Sequence, residues 1–282
     1  MNHLLGVSEA TYLKPLLFGL ENPGSSRELL VDIPAKLALN FRERIPPYDK
    51  AGCVFLSPID YARYGAEYRI LPGVGVSSSK PTGTIQLFVK TDARNIDTLA
   101  VDIRVTSEII LAKILLAEKF PNLASDPREM QFIPMLPDVE SMFKRADAAL
   151  VVNFAPQSAS THGLFALDLV EEWNDLTNLP YVHGFWVGRE EAQSVTLLRR
   201  LVRAKGEGLS HVRDIASRVA AEHRVTTELA LEYLSSFSYG LGKEEEEGLS
   251  EFMRFAFFHG IIPDVPDIHY FEMQPGPSPS LN

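Results

Sequence analysis

The sequence predicts an α/β protein with two lobes, and three observations lead to that expectation. Segments that read as strands alternate with segments that read as helices over residues 28–188, which is typical of largely parallel sheets covered by helices. The helical segments after residue 188 have no strands between them, which favours their packing back onto the first lobe. The 282 residues are 45% hydrophobic and 23% charged, so length and composition suffice for a sizeable buried core.

The elements of the first predicted lobe are read from short apolar runs and helix-start signals. The run AGCVFLS is short enough for a buried strand, and Pro34 occupies the first turn of a helix, where proline is favoured. The predicted order is a turn and short helix over 11–21, a strand over 28–33, a helix over 34–44, a strand over 51–57, a helix over 58–64 and a strand over 84–90.

The second predicted lobe continues the alternation. Its longest helix, over 106–120, places Ile109, Ala112, Leu116 and Phe120 at the spacing of one buried face. The predicted order is strand 99–105, helix 106–120, strand 128–135, helix 138–146, strand 147–154, helix 164–178 and strand 181–188, followed by four helices over 189–209, 211–224, 226–237 and 243–260.

The chain is expected to cross between the lobes near residues 86–92 and to return near 181–188. The first lobe would then comprise residues 1–88 and 189–282, and the second lobe residues 89–188. Because α/β proteins place ligands where strands end and helices begin, residues at such junctions are the first candidates for a site.

The composition argues against several classes of partner. A net charge of −10 disfavours nucleic acid, because phosphate binding needs a basic face, although a local pocket can still take a small anion. The N-terminus lacks the features of a signal peptide, and no apolar run reaches the ~20 residues of a membrane span. We therefore expect a cytoplasmic protein without a membrane segment.

Cofactor and metal chemistry has no motif to support it. Cys53 is the only cysteine and lies in an apolar run, so it is expected to be a core residue. The seven histidines form no HxxxH or HxH pair, and the nucleotide-binding and serine-hydrolase motifs are absent from the sequence. We predict neither a metal nor a cofactor.

The stretch GVSSSKPTGTIQLFV, residues 75–89, is the first candidate for ligand binding. Thr82, Gly83 and Thr84 combine close backbone approach with hydroxyl and amide donors, which suits a carboxylate. The alternative is a connecting loop whose hydroxyl groups bond their own backbone. Similarly, Thr106 and Ser107 begin a long helix, where they either cap it or leave its N-terminus open to an anion; Glu108 in the first turn opposes an anion.

Three further residues are candidates by position. Ser57 and Asn153 lie at the ends of predicted strands, where ligands bind in α/β proteins, although each also suits an ordinary helix start or turn. His183 lies on the predicted returning strand, on the face shared by Tyr181 and Phe185. It is either a proton carrier or carboxylate partner at the cleft, or a satisfied, partly buried histidine.

Several stretches together resemble the chorismate dehydratase family of the futalosine route to menaquinone, and the similarity covers nearly the whole chain. The most specific are the serine-rich loop entering the strand at 84–90 and the segment from EEW through DLT to YVHGFWVG. In chain order the stretches are TYLKPLLFGLE, LSPIDYARYGAEYRILPGVGVSSSKPTGTIQLFVK, TSEIILAKILL, PDVESMFKRADAALVV, DLVEEWNDLTNLPYVHGFWVGR and LEYLSSFSYGLGKEEEEGLSEFMRFAFFHGIIP.

The resemblance implies a fold and an activity. The fold is that of type II periplasmic solute-binding proteins, with two α/β lobes, two hinge crossings and a ligand in the cleft. The activity is a cytoplasmic lyase that eliminates water from chorismate to give 3-enolpyruvyl-benzoate, without a metal or cofactor. Thr84 takes the place of a ligand-contacting serine of the family, and Thr106 and Ser107 correspond to its threonine-serine helix start.

The same comparison assigns the catalytic position to Tyr12. The family motif has a catalytic asparagine three residues before a proline, and counting back from Pro15 gives Tyr12, which would orient the leaving hydroxyl group. Glu108 stands where small or apolar residues are usual, and Asn153-Phe154 stands where the family has Gly-Asp.

Two functions remain open at this point. One is a chorismate dehydratase, in which the substrate's own side-chain carboxylate is able to take the ring proton. The other is a non-catalytic cytoplasmic binding protein for an aromatic carboxylate such as a hydroxybenzoate. The N-terminal signature of the sister dihydroxynaphthoate synthase is not seen. In either case the partner is an aromatic or cyclohexadienyl carboxylate, and a homodimer stays open.

Overall fold

The computed structural model describes residues 4–20, 28–93, 95–123, 130–152, 163–192 and 194–272. Within these ranges the strands form two five-stranded sheets. The strands are β1 Leu4–Val7, β2 Leu29–Val31, β3 Ala51–Leu56, β4 Tyr68–Ser78, β5 Ile85–Lys90, β6 Thr98–Asp102, β7 Gln131–Met135, β8 Ala148–Val152, β9 Leu164–Asp168 and β10 Tyr181–Arg189. The helices are α1 Lys14–Leu17, α2 Pro34–Arg42, α3 Pro58–Tyr64, α4 Ser107–Lys119, α5 Val139–Phe143, α6 Leu169–Thr177, α7 Val195–Ser210, α8 Val212–His223, α9 Thr227–Ser235 and α10 Lys243–Phe258.

The first sheet has the strand order β2-β1-β3-β10-β4. Strands β1, β2 and β3 are parallel, whereas β10 runs antiparallel to both β3 and β4. Every residue of β3 is buried, which explains why the apolar run AGCVFL shows no alternation: both faces of this central strand are covered. Cys53, in this strand, is fully buried as predicted.

The second sheet repeats this design with the order β7-β6-β8-β5-β9. Here β6, β7 and β8 are parallel, and β5 is antiparallel to β8 and β9. In both sheets the parallel strands therefore lie on one side and the strands next to the interlobe connections lie on the other.

The backbone pairing places both crossings a few residues earlier than the sequence predicts. Strand β5 pairs with β8 and β9 of the second sheet, so the first crossing lies between Ser78 and Ile85. Strand β10 pairs with β3 and β4 of the first sheet, so the return lies between Thr177 and Tyr181. The crossings are misplaced because the apolar pattern of a strand does not indicate which of the two sheets the strand joins. The lobe limits 1–88 with 189–282, and 89–188, stay a prediction.

Three of the described strands are not predicted from the sequence. Strand β1 lies before the first predicted element, and β4 covers much of the glycine- and serine-rich stretch that reads as a loop. Strand β9 lies inside the predicted helix 164–178, which begins only at Leu169 because Asp168 caps it by accepting from the Val170 and Glu171 amides.

The C-terminal helices cover the first lobe and reach the second. Helix α7 packs on α1 and β4, whereas α10 packs on β10 and α3 and also touches α4 of the second lobe. Trp173 of α6 lies edge-on to Tyr181 and Phe252, so a buried aromatic group joins α6, β10 and α10. Among the described helices, none has the length and apolar character to cross a bilayer.

Candidate functional site

A cavity of about 510 Å³ lies where strands of both sheets end. It is lined by residues that follow β1 and β2 of the first sheet and β6 of the second, and by Val152 at the end of β8. Ligands of open α/β sheets bind beyond the carboxyl ends of the strands, and the volume lies within the usual range for small-molecule pockets. This cavity is therefore the candidate site.

Five of the residues that line the cavity are buried: Tyr12, Thr84, Asp102, Glu108 and Tyr233. The Thr84 hydroxyl donates to the Tyr233 hydroxyl at 3.0 Å, so these two side chains hold one another in place. Tyr12 lies just before α1, Thr84 just before β5, Glu108 in α4 and Tyr233 in α9. This wall therefore forms only once both lobes and the C-terminal helices have assembled.

Tyr12 belongs to an aromatic cluster behind the cavity. Its ring centroid lies 5.2 Å from that of His183 and 5.4 Å from that of Phe237. Burial raises the pKa of the Tyr12 phenol well above its usual value, and Glu108 and Tyr233 add to the increase. Tyr12 therefore stays protonated at neutral pH and lines the cavity as a neutral phenol.

His183 lies behind Tyr12 and does not line the cavity. Its Nε2 lies 2.7 Å from the Ser78 hydroxyl, and its Nδ1 is buried without a partner among the described residues. Burial lowers the pKa of His183 to about 3, so the ring is neutral at neutral pH. This geometry favours the packed histidine over the proton carrier.

Glu108 lines the cavity but is not among the site residues that the sequence predicts. It lies in the first turn of α4, and only 7% of it is exposed. Burial raises the pKa of Glu108 to about 7, with Asp60 and Asp102 adding to the increase and two backbone amides opposing it. The available signal was a single acidic side chain in the otherwise apolar helix start of SEIILAKILL.

Several charged side chains line the cavity besides Glu108. Asp102 is fully buried and accepts two bonds from the Arg104 guanidinium, at 2.9 Å from Nε and 2.6 Å from Nη2. Glu9, Asp32 and His223 line the same space. Carboxyl groups thus outnumber cations around the cavity, and its one arginine among the described lining residues is already paired.

The hydroxyl groups of Ser57, Thr106 and Ser107 join the two lobes. Ser57 and Thr106 both donate to Asp60 Oδ2, at 2.7 and 3.1 Å, and the Ser107 hydroxyl accepts from the Ile59 amide at 3.0 Å. These residues lie together as the sequence suggests, but not on the cavity wall. The hydroxyl donors of Ser57 and Thr106 are used by Asp60, a carboxyl group of the protein itself.

The Thr82-Gly83 turn also holds a carboxylate, and it too belongs to the protein. The amides of Thr82 and Gly83 donate to Asp168 Oδ2 at 3.0 and 2.6 Å. Gly83 has a φ of +66°, which favours glycine and aims its amide at this carboxylate. The other Asp168 oxygen caps α6, so this side chain ties the first crossing to the second lobe.

We expect Asp168→Ala to lower the free energy of unfolding by about 2 kcal/mol or more, because a helix cap and two further amide partners are lost together. Urea denaturation measures the change. Asp175→Ala is the matched control, because Asp175 lies on the same helix, is 65% exposed and pairs with Lys119 only at 3.6 Å. An equal loss of unfolding free energy in the two variants would show that Asp168 does not stabilise the first crossing and α6 as described.

Of the predicted site residues, Tyr12 and Thr84 line the cavity. Ser57, Thr82, Gly83, Thr106, Ser107 and His183 lie around it in the contacts described above. Asn153 lies outside the described residues. Within the described ranges, no group of three or more His, Cys, Asp and Glu side chains has the arrangement of a metal site.

The fold is of the periplasmic-binding-protein-like class, as predicted. A protein of Archaeoglobus fulgidus aligns with a TM-score of 0.67 at 16% identity, covering 93% of this chain and 99% of that one. The periplasmic aliphatic sulphonate binding protein of Escherichia coli aligns with a TM-score of 0.61 at 14% identity over 99% and 98% of the two chains. At these identities the likeness concerns the fold.

The chain belongs to the menaquinone biosynthesis family, because the sequence model of that family matches residues 8–257. It is similar to the chorismate dehydratase of Thermus thermophilus, at 24% identity over 260 residues that cover 89% of this chain and 93% of that protein. The resemblance inferred from the sequence motifs is thereby confirmed.

Proposed function

We propose that the protein is a chorismate dehydratase-like lyase that removes water from chorismate to give 3-enolpyruvyl-benzoate in the cytoplasm, in the futalosine route to menaquinone. The observation that supports this function is the cavity between the strand ends of the two lobes, with a phenol and a buried carboxyl group on its wall. Family membership and the similar dehydratase support the same substrate.

The reaction places modest demands on the protein. Loss of a ring proton and the neighbouring hydroxyl group makes the ring aromatic, and this supplies the driving force. The protein must orient the substrate and assist two proton transfers. Positioned side chains accelerate such proton transfers by about 10²–10⁴-fold. In this proposal the substrate's side-chain carboxylate takes the ring proton, and Tyr12 donates a hydrogen bond that orients the leaving hydroxyl group.

The second candidate function is a binding protein for an aromatic carboxylate such as a hydroxybenzoate. The observation that favours it is the Tyr12 ring, which stands at the family's asparagine position and offers the cavity an aromatic surface. Aromatic pairs contribute about 0.5–1.5 kcal/mol beyond their buried area, so a flat ring stacking there would gain affinity.

Purified protein mixed with chorismate is expected to form enolpyruvyl-benzoate, detected by the absorbance of the aromatic product and by mass spectrometry. The dehydratase predicts many turnovers per protein molecule. Heat-denatured protein is the control for spontaneous decay of chorismate. Saturable hydroxybenzoate binding in calorimetry, without product from chorismate, would instead favour the binding protein.

A further inference from the structure

We propose that Glu108 is the proton donor to the leaving hydroxyl group of the substrate, an inference that rests on the proposed dehydration. Its carboxyl group is buried at the wall of the cavity and lies on the same wall as the Tyr12 phenol. No lysine or arginine of the described residues lies within ion-pair distance of it. It is thus a carboxyl group that faces the ligand space without a neutralising cation.

The surroundings of Glu108 favour its neutral form. The titratable groups that act on it are Tyr12, Asp60, Asp102 and Tyr181, and Arg104 lines the same cavity. Arg104 is paired with Asp102, while Asp60 is bonded by two hydroxyl groups. The tyrosines are themselves held protonated by burial. A carboxyl group whose pKa is raised to about 7 is protonated in a large share of molecules at neutral pH, as a general acid requires.

A neutral Glu108 also reconciles the cavity with an anionic ligand. An ionised Glu108 at the start of α4 would repel an anion. A protonated carboxyl group carries no such charge and offers a donor instead. The remaining repulsion comes from Glu9 and Asp32 on the outer wall of the cavity.

The proton balance of the step closes without a co-reactant. The ring C–H bond breaks, its proton goes to the substrate's side-chain carboxylate, and its electron pair completes the aromatic ring. The ring C–O bond breaks, and the departing oxygen takes the Glu108 proton and leaves as water. The proton on the product's carboxyl group then returns to the Glu108 carboxylate, which restores the protein and the carboxylate of the product.

The test compares Glu108→Gln with the wild type in chorismate turnover. Glutamine keeps the shape of the protonated side chain but cannot release a proton to the leaving group, so we expect kcat to fall by about 100-fold or more. KM should change by no more than about threefold, since the amide still fits the cavity. Glu247→Gln, at a side chain that is 56% exposed on α10, is the matched control and should keep wild-type kcat.

The pH dependence of the wild type gives a second readout that a purely structural role would not move. As the donor ionises, kcat should fall by about tenfold for each pH unit above about 7. The Gln variant should lose this descending limb. If the Gln variant does not fold, the wild-type profile decides alone, and a flat kcat from pH 6 to 9 would overturn the assignment.

The outcomes separate this inference from the proposed function. A wild-type protein that forms no enolpyruvyl-benzoate overturns the dehydration and the function of Glu108 with it. A wild-type protein that turns over, with a Glu108→Gln variant of similar kcat, overturns the proton donor and leaves the dehydratase standing. A large loss of kcat in Glu108→Gln, with Glu247→Gln unaffected, supports both.

Discussion

Gly208→Ala is expected to lower the free energy of unfolding by about 3 kcal/mol, because α7 has no room for a side chain at this position. A Cβ atom at Gly208 would lie 1.7 Å from the Pro15 carbonyl oxygen and 3.0 Å from Pro15 Cα. These are backbone atoms, so the overlap is relieved only by moving α1 away from α7.

Gly206→Ala is the matched control on the same helix. A Cβ atom at Gly206 would meet no heavy atom within 4 Å. Alanine is a better helix former than glycine, so this change should raise the free energy of unfolding by about 0.5–1 kcal/mol. Urea denaturation of the wild type and the two variants should show a lower free energy of unfolding for Gly208→Ala and a higher one for Gly206→Ala.

The same pair of variants bears on the site. Tyr12 lies three residues before Pro15, so a displaced α1 should move the phenol at the cavity wall. Gly208→Ala should therefore also reduce chorismate turnover in the fraction that stays folded, whereas Gly206→Ala should not. A stable Gly208→Ala protein with a wild-type midpoint would show that the contact between α1 and α7 is looser than the structure indicates.

Tyr12→Asn is expected to lower the free energy of unfolding by about 3 kcal/mol. The Tyr12 ring is buried, since only 8% of the residue is exposed, and it packs between His183 and Phe237. Asparagine removes the ring contacts and leaves a cavity. Its amide group would also be buried without hydrogen-bond partners, so both changes destabilise the folded state. Thermal and urea unfolding followed by circular dichroism measure the loss.

Tyr12→Phe separates the ring from the hydroxyl group. It keeps the packing and should cost about 1 kcal/mol or less, the scale of one hydrogen bond. If the hydroxyl group orients the leaving group, kcat for chorismate should fall while hydroxybenzoate binding stays. A Tyr12→Asn protein that is folded and turns over faster than the wild type would show instead that tyrosine hinders the dehydratase, as expected of a site that has drifted toward binding.

The family motif and the periodic apolar pattern were sufficient to predict the class of fold. The continuous run in β3 and the spacing in α4 each arise from local burial, and local burial is recorded in the order of the residues. Tyr12 and Thr84 are predicted as site residues from their motif positions, and both line the cavity. Strand β4 was missed because its proline, glycines and serines are typical of loops, and its pairing with β10 outweighs that preference.

The order of the residues is enough to predict the alternation of strands and helices, the buried cysteine and the hydroxyl groups at the strand ends. What those hydroxyl groups and amides bind depends on the folded chain, because Asp60 and Asp168 reach them from other parts of the sequence. The folded chain also decides the state of Glu108, since the pKa of a carboxyl group depends on the water it loses and on the charges around it. Neither quantity is local in sequence, and both arise only when the two lobes and the C-terminal helices close around the cavity.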